Sequence, residues 1–320
     1  MKKIFCFSAV VLVLNLVCAV HAFTEKSVET PQDHTESILA NGRERTFRIY
    51  TPSTYDGSKK VSLLIVLHGG GGSGEKMQHL TENGFDRLAD REGFLVIYPD
   101  GVKNHWNDGS GLSVYRVQRE HIDDVGFFDV LIDALETNYS IDSKRIYVAG
   151  ISNGAMMAMR LACELSDRIA AVAGVAGALP VRLLSGCRPS HRVSVLLING
   201  DNDPFVPWDG GVIRVGLKRM GRVLSVFKTT EFWAEQNACS SLPLAEELTG
   251  QDPQDDTHVQ RLTYPSCRDN ADVVLYKIEN GGHTWPGGKQ YLRERAIGKT
   301  SRDIDAVGVI WEFFKAHSKS

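Results

Sequence analysis

One segment, residues 145–165, restricts the fold of this chain more than any other. It reads RIYVAGISNGAMMAMRLACEL: an apolar run, then GISNG at residues 150–154, then at once a run of helix-forming residues. The spacing G-x-S-x-G between a strand and a helix is typical of a turn so tight that side chains two positions from the serine would collide. Glycine at both positions removes the collision and lets Ser152 adopt a strained backbone. The segment therefore predicts a serine hydroxyl held above the edge of a sheet.

Short apolar runs alternate with longer helical patterns along the rest of the chain. Seven runs are predicted as strands: Thr46–Tyr50, Val61–His68, Phe94–Tyr98, Arg145–Gly150, Ala170–Ala173, Val193–Asn199 and Val273–Ile278. Five segments are predicted as helices: Met77–Arg91, Asp124–Tyr139, Asn153–Leu165, Val223–Asn237 and Asp303–His317. The strands are apolar almost throughout, as in a sheet covered on both faces. The alternation predicts an α/β fold: a doubly wound, mostly parallel sheet with helices on both faces.

The first 22 residues differ from the rest and are expected to be removed. Lys2 and Lys3 precede an apolar run over residues 4–20, and VHA at residues 20–22 resembles a small-residue cleavage site. This is the pattern of a signal peptide, because the run is short for a membrane-spanning helix and contains polar residues. We therefore expect a secreted or periplasmic protein with a single domain over residues 23–320. The polar, acidic stretch at residues 249–258 is predicted to be a surface insertion within that domain.

The charge and the cysteines fit an exported globular protein. The formal net charge is −3 without a long run of like charges, so we expect neither nucleic acid nor a membrane as a partner. Four cysteines follow the predicted signal peptide, an even number that favours two disulfides in an oxidising compartment. Three pairings can be drawn, and we favour Cys163–Cys187 with Cys239–Cys267 because it closes the shortest loops. The chain has no Cys-x-x-Cys pair, so no metal site is predicted.

A serine hydroxyl becomes a nucleophile at neutral pH only when a base, oriented by an acid, takes its proton. On a sheet of this type the expected chain order is serine, acid, histidine, with each residue in a loop at the carboxyl edge. His283 directly follows the predicted strand Val273–Ile278 and fits that order. His258 lies in the acidic insertion and His317 near the C-terminus, and both are interpreted as solvated. We therefore predict His283 as the base.

The acid should follow the preceding strand, where the sequence GDNDPFVPWDGG occupies residues 200–211. This loop offers three carboxylates, those of Asp201, Asp203 and Asp209. Asp203 lies at the usual distance from a strand end, so we favour it as the acid. Asp201 is the next candidate, although it also suits a turn.

A glycine-rich stretch, LHGGGGSGEK at residues 67–76, follows an apolar strand and can be interpreted in two ways. A phosphate-binding loop is excluded by spacing, because the lysine is two residues beyond the last glycine and no hydroxyl residue follows it. The other interpretation is an oxyanion hole, since attack of Ser152 on a carbonyl creates an oxygen anion that backbone N–H groups must meet. We predict the amides of Gly70 and Asn153 as these donors, with Gly71 as the second choice in the loop.

Taken together, these motifs resemble a known family, the secreted esterases grouped as polyhydroxybutyrate depolymerases and feruloyl or acetylxylan esterases, which have the α/β-hydrolase fold. The resemblance runs from about Arg45 to the C-terminus. It is carried by eight blocks in the family's order: 67-LHGGGGS-73, 98-YPDG-101, 106-WNDG-109, 123-DDVGF-127, 150-GISNGAMMAMRLACELSDRIAAVA-173, 200-GDNDPFVP-207, 233-WAEQNAC-239 and 281-GGHTWPGG-288. It implies that Ser152 is the nucleophile, Asp203 the acid and His283 the base. Many relatives have a cysteine where this chain has Gly70, a difference that leaves the backbone N–H in place.

The resemblance also implies an activity, the hydrolysis of a carboxylic ester through an acyl-enzyme intermediate and without a cofactor. The expected partner is a small-molecule, oligomeric or polysaccharide-linked ester, and the expected state is a monomer. Because the chain lacks a linker and a polymer-binding domain, we expect soluble esters or hydroxyalkanoate oligomers rather than solid polyester. Trp106, Trp208 and Trp285 lie beside the loops at the predicted catalytic edge and are candidates for pocket walls. Two alternatives stay open: a serine peptidase on the same fold, and a non-catalytic binding protein on a hydrolase scaffold.

Overall fold

A ten-stranded sheet forms the centre of the computed structural model, which describes residues 32–111, 115–248, 250 and 254–319. The strands in these residues are β1 to β12: Gln32–Ala40, Arg43–Thr51, Val61–Leu67, Leu95–Pro99, Ile141–Ile151, Ala171–Val175, Ser194–Gly200, Gly211–Val215, Lys218–Val223, Leu244–Leu248, His258–Tyr264 and Val273–Glu279. The helices are α1 to α8: Gly74–Leu80, Gly84–Glu92, Arg116–Arg119, Asp124–Asn138, Asn153–Glu164, Val226–Gln236, Glu294–Ile297 and Ala306–Lys315. The predicted signal peptide lies outside the described residues.

The centre of this sheet is parallel and its two edges are antiparallel. The strand order is β1-β2-β4-β3-β5-β6-β7-β12-β11-β10, with parallel pairing from β4 through β12 and antiparallel pairing at β1–β2–β4 and β12–β11–β10. Parallel strands end at one common edge of a sheet, and helices cross over its faces. The predicted α/β fold with a mostly parallel sheet is confirmed.

Both faces of the central strands are buried, which explains their continuous apolar sequences. Along β3, Leu63, Ile65 and Leu67 pack into the core on one face, and Leu64 and Val66 pack into the core on the other. All five side chains are fully buried. Successive side chains of a strand point to opposite faces, so a strand covered by helices on both sides needs no polar residues.

The segment predicted as one helix, Met77–Arg91, folds as two helices, α1 and α2. The break comes at Glu82 and Asn83, whose φ angles of 54° and 56° lie in the left-handed region that no continuous α-helix contains. The sequence carried the signal for this break, because Asn83 is followed by Gly84 and an Asn-Gly pair favours a turn. The helix predicted over Val223–Asn237 starts later than expected. Val223 belongs to strand β9, and α6 begins after its N-cap Ser225.

Five strands were not predicted: β1, β10 and β11 at the edges of the sheet, and the separate antiparallel hairpin β8–β9. The edge strands carry many polar residues because one or both of their faces meet solvent. β10 and β11 pair with each other on either side of the predicted surface insertion, of which residues 249 and 251–253 lie outside the described residues.

The four cysteines form the two favoured disulfides, Cys163–Cys187 and Cys239–Cys267. The first bond joins the last turn of α5 to the segment before β7, and the second joins the segment after α6 to that before β12. Both bonds brace connections on the flank of the parallel sheet. In the described part of the chain, no helix has the length and apolar character needed to cross a membrane.

Candidate active site

The turn between β5 and α5 has the strained geometry that its glycines predict. Ser152 lies at φ 57° and ψ −119°, a left-handed conformation that costs an L-residue energy. A Cβ on Gly150 would lie 2.6 Å from the carbonyl carbon of Gly154, and a Cβ on Gly154 would lie 2.6 Å from the carbonyl oxygen of Leu67. Neither position has room for a side chain, so the elbow packs directly against the end of β3.

A buried histidine–carboxylate pair lies at the same edge of the sheet. The Nδ1 atom of His283 is 2.7 Å from Oδ2 of Asp203, and both side chains are almost completely buried. The second carboxylate oxygen, Oδ1, accepts hydrogen bonds from the backbone N–H groups of Phe205 at 2.7 Å and Val206 at 2.9 Å. A carboxylate held in this way fixes Nδ1 as the protonated ring nitrogen and leaves Nε2 free to accept a proton. His283 and Ser152 line one cavity.

The other two candidate acids lie elsewhere. Asp201 accepts a hydrogen bond from the backbone N–H of Asn280 at 2.8 Å, and its carboxylate is 3.6 Å from the ammonium of Lys277. It therefore closes a turn between β7 and β12. Asp209 is exposed to solvent.

The histidines that were set aside have different environments. His258 is exposed at the start of β11, as expected. The interpretation of His317 as solvated is wrong, because this residue is only 4% exposed. Its Nδ1 lies 2.7 Å from the carbonyl oxygen of Phe313 and its Nε2 lies 3.1 Å from the carboxylate of Asp272. His317 fastens the end of α8 to the segment before β12.

Two N–H groups of the glycine-rich loop are engaged in backbone hydrogen bonds. The N–H of Gly71 donates to the carbonyl of Asn104 at 2.8 Å, and the N–H of Gly72 donates to the carbonyl of Gly69 at 3.0 Å. Among the described residues, the N–H of Gly70 has no hydrogen-bond acceptor, and Gly70 lines the cavity beside Ser152. These contacts favour Gly70 over Gly71 as the loop's contribution to an oxyanion hole.

His68, at the start of this loop, holds the loop in place through both ring nitrogens. Its Nδ1 donates to the carbonyl of Gly69 at 2.7 Å, and its Nε2 accepts from the backbone N–H of Gly101 at 2.9 Å. Burial lowers the pKa of His68 from 6.5 to about 4, since the charged ring would lose its hydration. The neutral ring is the form that fits, because a protonated Nε2 could not accept the Gly101 hydrogen.

Asn153, the other predicted donor residue, is clamped to a neighbouring loop by its side chain. Its Oδ1 accepts from the backbone N–H of Trp106 at 2.8 Å, and its Nδ2 donates to Oδ2 of Asp108 at 2.7 Å. The indole N–H of Trp106 in turn donates to the carbonyl of His68 at 3.0 Å. These hydrogen bonds fix the position of the first turn of α5 relative to the glycine-rich loop.

Two comparisons decide the family of a chain with this arrangement. Residues 54–214, about half of the 320, match the model of the family described as phospholipase/carboxylesterase. The provisionally named esterase NocK of Nocardia uniformis subsp. tsuyamanensis is 30% identical over 305 residues, 92% of this chain and 87% of that protein. This chain belongs to the phospholipase/carboxylesterase family. The expectations of an ester-hydrolysing enzyme and of the α/β-hydrolase fold are thereby confirmed.

Further relatives of this carboxylesterase carry more specific names. A protein of Aspergillus niger, provisionally named feruloyl esterase C, is 30% identical over 284 residues, 86% of this chain and 85% of that protein. Among solved structures, the acetyl xylan esterase from Aspergillus awamori aligns with a TM-score of 0.59 at 15% identity, over 88% of this chain and 99% of that one. At that identity the structural match shows the shared fold alone.

The tryptophans expected to line a pocket do not line the cavity that contains Ser152 and His283. Trp106 and Trp285 are fully buried beneath the loops, in the two cores on opposite faces of the sheet. Trp208 is half-buried and packs edge-on against Phe227. In this carboxylesterase the large indole rings thus pack beneath the loops that surround the cavity. The position of a tryptophan in the sequence does not show whether it packs beneath a loop or lines a pocket.

The cavity of this carboxylesterase has a volume of about 820 Å³, within the range of roughly 300–1,000 Å³ typical of ligand pockets. Its walls are mostly apolar, and sequence reasoning missed the residues that form them: Tyr115, Met156, Phe205, Ile213, Met220, Tyr291 and Leu292. Two of these wall residues, Ile213 and Met220, come from the β8–β9 hairpin, whose alternating apolar residues on either side of Gly216 are a typical hairpin signal. Among the residues that the structure describes, no group of three His, Cys, Asp or Glu side chains could hold a metal ion.

Proposed function

We propose that this esterase hydrolyses carboxylic esters with Ser152 as nucleophile, His283 as base and Asp203 as acid. The observation that carries the proposal is the buried pair of His283 and Asp203, whose 2.7 Å contact orients the imidazole in the cavity that the strained serine also lines. A serine, an aspartate and a histidine in this chain order and at one sheet edge are the requirements for acyl transfer.

The first half of the reaction forms an acyl-enzyme. With its Nδ1 hydrogen bonded to Asp203, His283 accepts the hydroxyl proton of Ser152 at Nε2 while the serine oxygen attacks the ester carbonyl. The carbonyl oxygen becomes an anion, which the backbone N–H groups of Gly70 and Asn153 stabilise. His283 then gives its proton to the alcohol oxygen, the ester bond breaks, and the acyl group stays on the serine.

The second half returns the enzyme to its starting state. His283 removes a proton from a water molecule, and the resulting oxygen attacks the acyl carbonyl of the intermediate. The same two amides hold the second oxyanion, and the proton passes from His283 to Ser152 as the acid leaves. Since Asp203 stabilises the charged imidazole in both halves, its loss slows acylation and deacylation alike.

The walls of the cavity favour esters with a bulky acyl group. Tyr115, Phe205 and Met220 give it an aromatic and apolar lining that an acetyl group would contact only in part. The Aspergillus niger relative that is named as a feruloyl esterase supports an acyl group of that kind. We propose soluble esters or oligomers as substrates, with hydroxyalkanoate oligomers among them.

We also propose that residues 1–22 direct export and that residues 23–320 form one catalytic domain acting as a monomer. The two disulfides support passage through an oxidising compartment. N-terminal sequencing of the exported protein should give Phe23 as its first residue. A mature protein that begins with Met1 would contradict this assignment.

The direct test of the proposed reaction is the replacement Ser152→Ala, assayed on nitrophenyl esters of increasing acyl length. The expected loss in kcat is about 10⁶-fold, as for other serine hydrolases that lose the nucleophile. Ser37→Ala, on edge strand β1, is the matched control and should retain wild-type rates. A panel of peptides distinguishes a peptidase, which would cleave amides at least as readily as esters. Undiminished ester hydrolysis by Ser152→Ala would rule out the assignment.

A further inference from the structure

Two basic segments lie at the mouth of the cavity. One is the β8–β9 hairpin over residues 211–223, and the other is the loop and short helix over residues 289–297; both contribute wall residues to the cavity. Together they carry seven cations and a single carboxylate, Glu294, in a chain whose formal net charge is −3. The cations are Arg214, Lys218, Arg219, Arg222, Lys289, Arg293 and Arg295. Positive charge is thus concentrated at the entrance of an otherwise acidic protein.

In the part of the chain that the structure describes, these cations lack carboxylate partners. Within the described residues, none of the seven forms an ion pair, although the acidic Glu294 lies on one of the two segments. Elsewhere the same residue types are paired, as Arg168 is with three carboxylates on α4. A group of unpaired cations on one surface creates a local positive potential that attracts anionic partners.

The same two segments expose apolar side chains. Leu217 at the tip of the hairpin is fully exposed, and Val215, Tyr291 and Leu292 are 43%, 42% and 51% exposed. They are four of the nine large apolar residues exposed in the described part of the chain, gathered around one opening. Exposed apolar groups rimmed by charge mark surfaces that bind a partner, since leaving them in water is unfavourable.

Packing beneath the hairpin fixes which of its side chains point outward. Ile213, Met220 and Val223 are buried against Met156 and Val206 in a small apolar cluster beside the cavity. The cations and Leu217 therefore project from the opposite side and from the tip. The surface presents charge and apolar groups to solvent without any rearrangement of the cavity wall.

We propose that this entrance surface docks on an anionic lipid bilayer, with Leu217 and Leu292 entering the interface and the seven cations at the level of the headgroups. The proposal rests on the proposed function, because it makes esters held in that bilayer substrates of the same cavity. Aliphatic tips favour a lipid surface over an acidic polysaccharide, since three of the four exposed apolar residues lack the flat ring on which sugars stack. Peripheral proteins bind membranes through this combination of apolar burial and cationic attraction.

The net charge of the chain led us to expect no membrane partner, whereas the entrance surface favours one. A net charge averaged over 320 residues hides a local excess, and the two segments are 66 residues apart in sequence, from 223 to 289. Only the fold brings them to one opening. This is why the chain as a whole gives no sign of an anionic partner.

The test measures sedimentation of the exported protein with vesicles of phosphatidylcholine alone or mixed with phosphatidylglycerol. The triple variant Arg214→Gln, Lys218→Gln, Arg219→Gln should bind the mixed vesicles about 100-fold more weakly, at about fivefold for each cation removed. The matched control Lys59→Gln, Lys60→Gln, Lys144→Gln changes three exposed cations at the opposite edge of the sheet and should bind as the wild type does.

A second pair of variants tests the apolar contribution. Leu217→Ser should lower binding to the mixed vesicles about tenfold, whereas Leu39→Ser, at an exposed leucine on β1, should have no effect. Added salt should weaken binding of the wild type, since it screens the attraction between cations and headgroups.

Several results would overturn the docking proposal. The first two are a wild type that binds no vesicles and a wild type that binds phosphatidylcholine vesicles as well as the mixed ones. The other two are control variants that lose as much binding as the test variants, and a protein that binds polygalacturonate but not vesicles. Hydrolysis of a soluble ester is measured on the same samples, and the triple variant and Leu217→Ser should retain the wild-type rate. If the protein hydrolyses the soluble ester but does not bind vesicles, the docking proposal is wrong and the proposed function stands. If Ser152→Ala hydrolyses the ester at the wild-type rate and still binds vesicles, the proposed function is wrong although the surface does bind vesicles.

Discussion

The floor and the entrance of the cavity are built in opposite ways. On the floor, Gly150 and Gly154 leave no space for a methyl group, and His68 and Asn153 tie three loops together with hydrogen bonds. At the entrance, the β8–β9 hairpin is a separate two-stranded unit with a fully exposed tip and with exposed cations. Under the proposed function, the floor carries out the reaction and the entrance selects the esters that reach it.

After the loss of the nucleophile itself, the largest effect should come from the floor, with Asp203→Asn. The variant keeps the shape of the side chain but removes the charge that stabilises a protonated His283, so kcat should fall about 10⁴-fold. The measurement is steady-state hydrolysis of a nitrophenyl ester, with Asp201→Asn as the control that should retain most activity. Equal losses in the two variants would remove Asp203 from its assigned role.

A methyl group added to the elbow should be the next largest change. Gly154→Ala places a Cβ 2.6 Å from two backbone carbonyl oxygens, which cannot move without separating β3 from α5. We expect a loss of about 3 kcal/mol in the free energy of unfolding, measured by urea denaturation.

Gly71→Ala is the control for that substitution. Gly71 has open space around its Cβ position but a φ of 81°, so only the backbone conformation is strained. Its cost should be about 1 kcal/mol. A larger loss for Gly71→Ala than for Gly154→Ala would contradict the packing of the elbow.

The pH dependence of stability should show a smaller contribution from His68. Its pKa is about 4 in the folded protein and 6.5 ordinarily, so the folded state stays neutral while the unfolded chain takes up a proton. Stability from this residue is present above pH 6.5 and is lost as the pH falls towards 4, about 2 kcal/mol between pH 7 and pH 5.

His68→Gln offers a hydrogen-bond donor and an acceptor that do not titrate. Its free energy of unfolding should therefore fall less than that of the wild type between pH 7 and pH 5, measured in urea at both values. Identical pH dependence in the two proteins would mean that the ring of His68 is not held in its neutral form.

The smallest change should come from the entrance. Met220→Ala removes apolar surface from the cavity wall without touching Ser152 or His283, so KM for a bulky aromatic ester should rise about tenfold with kcat nearly unchanged. The KM for the acetyl ester should change little, because we expect a short acyl group to contact the cavity walls only in part. A fall in kcat with both esters would show that the hairpin also supports the floor.

The sequence predicted the floor better than the entrance for a physical reason. A tight turn, a buried strand and a loop after a strand each impose local demands, so Gly150, Gly154 and the apolar run of β3 can be recognised without a structure. The wall residues Phe205, Met220 and Tyr291 become neighbours only when distant loops fold over one opening. Their identities carry no local signal for that arrangement.

The tryptophans and the edge strands illustrate the same limit. Trp106 and Trp285 were placed near the site correctly by position in the chain, but their side chains are buried below it rather than facing the cavity. Strands β1, β10 and β11 lack apolar runs because solvent covers part of their surface. Burial on both faces is what made the central strands predictable.

The central claim, that Ser152 is the nucleophile, is tested most directly by labelling the active enzyme with a fluorophosphonate and digesting it with trypsin. The peptide over residues 146–160 contains Ser152 as its single serine, so mass spectrometry can assign the modified residue. We predict one label per chain, on Ser152, with ester hydrolysis lost in proportion to labelling. Loss of activity with the label on a different residue, or full activity with Ser152 labelled, would contradict the claim.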